Sequence, residues 1–242
     1  MTEPFSPSTA KMCMQVAGAA YMSHVNFVEA IFPAALEVRF INHKDTDTQV
    51  LLIAWHGVAV AAVRGTQVSD NFSFIDVIRN ARCVKKRWKF GGIRAHAGYS
   101  EAVDAVADEI DAWAEKHTEA GRKVYLTGHS MGGVVASGLA ALIKFDATYT
   151  FGAPRFGNKA FAKMMEKESL YRVVHARDIA PSYPHSFLGY RHAGERWQLS
   201  SDGGFAKIDG KSKDFWHYPY IQGQEDHKPI NYLNAIMKGY RK

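Results

Sequence analysis

The sequence predicts a single α/β domain, a mostly parallel central sheet opened by an antiparallel meander, with helices on both faces. Three observations predict it. Strand-like runs stand close together at Leu36 to Asn42, Val50 to Trp55 and Val58 to Val63, the first two separated by the polar turn Lys44-Asp45-Thr46-Asp47. Further on, Lys123 to Thr127, Met131 to Ile143, Ala147 to Phe151, Asn158 to Lys167 and Tyr171 to Ala176 read as strand, helix, strand, helix and strand. That alternation builds parallel sheets. Finally, runs such as Val124-Tyr125-Leu126 show little polar alternation, as expected of strands covered on both faces.

The remaining elements follow from local chemistry. Ser8 and Thr9 can cap a first helix, whose small and apolar residues Met12, Val16, Ala19 and Ala20 recur at helical spacing. Ser100 can cap a second, with Ala102, Val103, Val106, Ile110 and Trp113 on one stripe. Beyond residue 180 the chain is loop-rich, with a strand pair expected near Tyr190 to Leu199 and a closing helix after Pro229. No repeat or linker divides it, so residues 1–242 are read as one domain. A chain of 242 residues that is 47% hydrophobic and 22% charged can bury a substantial core.

Lys and Arg number 30 against 24 Asp and Glu, a formal charge of +6. The surplus is modest and no dense basic tract accompanies it, so nucleic acid is not an expected partner. The longest basic cluster, Lys85-Lys86-Arg87-Trp88-Lys89, reads as a solvated loop face. Two cysteines, Cys13 and Cys83, make no disulfide framework and have no metal-ligand spacing. No run is long and apolar enough for a transmembrane helix, and Met1 to Ala10 shows no basic stretch leading into an apolar one. A cytoplasmic location is therefore the default expectation, and a mature secreted form is the alternative.

The chemistry concentrates at Gly128-His129-Ser130-Met131-Gly132, where a buried strand must turn at once into a helix. In that setting a serine adopts a strained backbone and thrusts its hydroxyl into the open. Gly128 and Gly132 suit a turn too tight for side chains. A serine nucleophile needs a base and an acid to orient it, which follow in the order serine, acid, histidine on such a sheet. Asp178 ends the strand Tyr171 to Ala176 at the carboxyl edge, where ligands bind, whereas Asp146 sits at the far edge and Asp202, Asp209 and Asp214 fall in polar loops. Among later histidines, His185 is too near and His192 lies in a strand-like run. His227, in a polar loop just before Pro229, is preferred, with His217 second.

With these residues in place the chain resembles the class 3, fungal-type triacylglycerol lipase family of the α/β-hydrolase fold, over residues 10 to 237. The motifs that carry the likeness are Val63-Arg64-Gly65-Thr66, His96-Ala97-Gly98-Tyr99, the elbow at Ser130, Thr150-Phe151-Gly152-Ala153-Pro154-Arg155-Phe156-Gly157-Asn158, and Asp178-Ile179-Ala180-Pro181 before a late histidine. The resemblance implies that Ser130, Asp178 and His227 form a triad. It also implies that Thr66 supplies oxyanion-hole donors together with the backbone N–H of Met131. His96 and His129 read as structural residues of their motifs. In that family a mobile lid follows the oxyanion strand, where Phe72, Phe74, Ile75, Val77 and Ile78 stand here. A short lid within 67–80 and an ordinary packed helix are equally open readings.

The expected activity is hydrolysis of a carboxylic ester through an acyl-serine, without metal or cofactor. A triacylglycerol lipase or carboxylesterase comes first, touching a lipid interface transiently. A feruloyl-type aryl esterase or phospholipase A1 on the same scaffold comes second. A non-catalytic lipid or acyl binder, a different class, would need no triad.

Overall fold

A computed structural model describes residues 3–22, 24–65, 83–209 and 220–239. The expected lid segment, Thr66 and His217 lie outside the described residues.

Eight strands form one sheet in the order β1 (Glu37–His43), β2 (Thr48–Ala54), β3 (Val58–Val63), β6 (Lys123–His129), β7 (Ala147–Phe151), β8 (Leu170–His175), β9 (Glu195–Leu199) and β10 (Phe205–Lys207). β1, β2 and β3 run as an antiparallel meander, with Val50 opposite Val63. From β3 to β9 neighbours are parallel, with Val63 beside Gly128, His129 beside Phe151 and Phe151 beside Val173. β10 returns antiparallel on β9. The architecture is the expected α/β-hydrolase type.

Helices cover both faces. α3 (Ala97–Glu119), α4 (Met131–Leu139) and α5 (Lys159–Met164) bury Val103, Ile110, Val135, Leu139 and Phe161 against one face. α1 (Pro7–Ala19) and α7 (Pro229–Lys238) bury Met14, Val16, Tyr232 and Ile236 against the other. Two shorter helices are α2 (Val25–Ile31), which the sequence reading did not identify, and α6 (Tyr220–His227).

Several boundaries differ from expectation for local reasons. Ser6, not Ser8 or Thr9, caps α1, its hydroxyl accepting from the Thr9 N–H at 3.3 Å ahead of Pro7. α3 begins earlier than Ser100. His96 is its cap, its ring nitrogen accepting from Tyr99 N–H, and Ser100 instead bonds back to the Ala97 carbonyl. α4 ends at Leu139 rather than Ile143. The strand pair near Tyr190 is in fact β9 with β10, and His192 lies outside any strand.

The basic cluster is a loop only at Trp88 and Lys89. Lys85–Arg87 is β4, paired antiparallel with β5 (Arg94–His96), and Trp88 behind it is buried against Phe156 and Phe161. Asp146 does sit at the edge opposite Ser130, accepting from the Val124 N–H and pairing with Lys123. Among the described residues no helix is long and apolar enough to cross a membrane.

Candidate active site

The chain leaves β6 at His129 and enters α4 at Met131, so Ser130 alone makes the turn. Its backbone sits at φ 63°, ψ −127°, a strained conformation for a residue with a side chain. Such a bend works only if the strand and helix can touch. A Cβ on Gly128 would lie 2.5 Å from the Gly132 carbonyl oxygen, and one on Gly132 would overlap the Val63 carbonyl. The glycine spacing is thus a packing requirement, and its product is a hydroxyl held above the carboxyl edge of the sheet.

Ser130 Oγ lies 2.7 Å from His227 Nε2. His227 Nδ1 lies 2.9 Å from each oxygen of Asp178. The structure therefore brings together the three residues the sequence singled out, and all are buried, at 1%, 4% and 0% exposure respectively. Asp178 follows β8, as expected. His227 differs in its setting, being the last residue of α6 rather than a loop residue.

Asp178 has further partners. One of its oxygens accepts from the Ala180 N–H at 2.8 Å and the other from the Tyr232 hydroxyl at 2.7 Å. Tyr232 in turn accepts from the His175 N–H at 3.0 Å. Burial, and then the Asp178 charge, push the Tyr232 phenol well above its ordinary range, so it stays a donor. Three donors, the Ala180 N–H, the Tyr232 hydroxyl and the His227 Nδ1–H shared between both oxygens, thus hold the carboxylate in place. The sequence reading did not single out Tyr232.

His129 fixes the other side. Its Nε2 is 2.8 Å from the backbone carbonyl of His227, which can only accept, so Nε2 carries the proton. Nδ1 must then accept from the Tyr21 hydroxyl at 2.9 Å. Burial first, and the neighbouring His227 second, hold the His129 ring well below the usual histidine range, so it is neutral. The structural role expected for it is now specific: it ties the end of α6 to the elbow and to Tyr21.

Gly152, in the Phe-Gly-Ala-Pro segment, is a residue whose role the sequence did not reveal. It adopts φ +58°, and a Cβ there would lie 2.5 Å from Asp178 Oδ2 and 3.0 Å from His227 Nδ1. Its missing side chain is the space the acid and base occupy. Met131 opens α4 directly after Ser130, and Gly65, the last described residue before Thr66, lies against the His129 carbonyl.

A serine, histidine and aspartate in this hydrogen-bonded order, on the carboxyl edge of such a sheet, define the geometry of serine hydrolases on α/β folds. Residues 60–187, more than half of the chain, match the profile of the lipase (class 3) family, and the chain belongs to that family. It is 39% identical over 121 residues to a secreted mono- and diacylglycerol lipase of Fusarium solani, covering 47% of this chain and 36% of that protein. To a lipase of Rhizopus niveus it is 32% identical over 168 residues, covering 63% and 42%. The chain thus matches less than half the length of these relatives. A fungal lipase structure superposes with a TM-score of 0.78 at 20% identity, over 98% of this chain and all of that one, a likeness of fold.

Proposed function

We propose that this protein hydrolyses carboxylic esters of acylglycerol lipids through an acyl-serine intermediate. The observation that carries the reading is the unbroken relay from Ser130 Oγ through His227 to Asp178, at 2.7 and 2.9 Å. His227 Nε2 takes the Ser130 proton as Oγ bonds to the ester carbonyl carbon, and the carbonyl oxygen becomes an oxyanion. When the intermediate collapses the alcohol leaves with that proton, and a water activated by the same nitrogen then releases the carboxylic acid. Asp178 keeps Nδ1 protonated and stabilises the imidazolium.

Met131 N–H, at the first turn of α4, and Thr66 are the proposed oxyanion donors, each worth on the order of 3 kcal/mol of barrier. Three relatives are named as secreted mono- and diacylglycerol lipases, which favours partial glycerides as substrates and a secreted over a cytoplasmic location. Such substrates sit in lipid, so transient contact with an interface belongs to the same reading.

The test is a fluorophosphonate probe followed by peptide mass spectrometry. Labelling at Ser130, abolished in Ser130→Ala, is the expected result. Labelling elsewhere, or none, would favour a non-catalytic acyl binder. A chain-length series of p-nitrophenyl esters beside monoacylglycerol and feruloyl esters then fixes the acyl and alcohol preference.

A further inference from the structure

The hairpin formed by β4 and β5 has an arrangement that costs stability unless something answers it. Its register sets Arg87 opposite Arg94 and Lys85 opposite His96, so Lys85, Arg87 and Arg94 share one face. Like charges directly opposed on a ladder destabilise it. Lys86 and Lys89 differ, being paired with Glu101 at 3.0 Å and Asp104 at 3.4 Å on α3. Among the described residues Lys85, Arg87, Arg94 and Arg191 have no carboxylate partner.

The apolar half lies beside them. The short turn Ser186–Leu188 leaves Phe187 76% and Leu188 41% exposed, and Val84, next to Lys85, is 56% exposed. Lys85 locks the two parts together by donating to the Leu188 carbonyl and lying 4.9 Å over the Tyr190 ring. Arg191 donates to the Ser186 and Tyr190 carbonyls of the same turn. Crowding is evident at Lys85, whose ammonium is pushed below its ordinary range by burial and then by Arg94 and Arg191. Both parts sit at the sheet's carboxyl edge. The turn follows Asp178 from the end of β8, and β5 runs directly into α3, whose far end leads to the start of β6.

We propose that this face, Phe187 and Leu188 ringed by Lys85, Arg87, Arg94 and Arg191, docks the protein on an anionic phospholipid surface. The cations meet headgroup phosphates and the apolar turn enters the boundary between headgroups and acyl chains. An exposed aromatic alone would fit many partners, but cations without carboxylate partners beside it select an apolar layer under negative charge. The inference rests on the acyl-ester reading only for what the docked protein does, since binding needs no turnover.

The experiment is sedimentation of the Ser130→Ala protein with phosphatidylcholine vesicles, with and without phosphatidylglycerol. Binding should rise about tenfold or more with phosphatidylglycerol and fall with added salt. Arg87→Glu with Arg94→Glu should remove that rise. Phe187→Ser should weaken binding to the anionic vesicles while retaining its salt dependence, and both variants should keep the parent Tm. Equal binding to neutral and anionic vesicles, unchanged binding by the charge-reversed protein, or equally tight binding to duplex DNA would overturn the proposal. Absence of fluorophosphonate labelling at Ser130 in the unsubstituted protein would instead remove the catalytic reading and leave this one standing.

Discussion

Two residues outside the triad decide how well it is held, and each gives a separable outcome. Gly152→Ala places a methyl where Asp178 and His227 now meet, at a φ of +58° that a side chain resists. A displacement near 1 Å in such a constellation costs about a hundredfold in rate. Stopped assays should show kcat/KM on a soluble ester falling by that order, and wild-type rates would refute the crowding argument. Tyr232→Phe is milder. It leaves the His175 N–H without a partner and Asp178 Oδ2 with only its share of the His227 Nδ1 hydrogen, a loss of about 1 to 3 kcal/mol in stability. Thermal melts should therefore show a lower Tm in Tyr232→Phe, and a wild-type Tm would refute the bracing role.

At the scale of elements, His129 ties together the end of β6, Tyr21 just after α1, and the last residue of α6. Its folded-state pKa is depressed below the ordinary value of 6.5, so below that pH the unfolded chain binds more protons than the folded one. Stability from this latch is present above the ordinary histidine pKa and is lost as pH falls through it. His129→Gln should flatten the fall of Tm between neutral and mildly acidic pH, at the cost of a lower Tm at neutral pH. An unchanged acid slope would show that other buried histidines dominate. The latch also marks how far the sequence could be read. Elements defined by period and by glycine spacing were legible: β3, β6, β7, the elbow, and Asp178 at a strand's end. Elements defined by long-range partners were not. Nothing near Lys85 announces that it pairs across to His96, and the residues of α6 look like a polar loop until Pro229 opens the next helix. Gly152 was visible as part of a motif, but the space it leaves belongs to residues 26 and more positions away in the chain, which no local pattern reports.

For the whole molecule the question is whether two cores can behave as one. One apolar cluster lies under α3, α4 and α5, and a second under α1 and α7, with the sheet between them. Both are fed by alternate residues of the same strands. In β2, Leu52 points into the first cluster and its neighbour Ile53 into the second, each fully buried. β3 repeats the pattern, with Ala61 on one side and Val60 and Ala62 on the other. Neither layer can be stripped away without exposing one face of strands that the other layer still needs, so the single-domain reading predicts one cooperative transition. Leu52→Ala and Ile53→Ala should each cost about 2 to 5 kcal/mol. Each should shift that one transition downward without splitting it, although the two side chains lie on opposite sides of the sheet. Calorimetry in which the van't Hoff enthalpy falls well short of the calorimetric one, or in which one variant melts in two steps, would show the layers unfolding separately. In that case the triad, which draws Ser130 and Asp178 from the sheet and is braced by Tyr232 from α7, would come apart with the weaker layer, and activity would be lost at the first step.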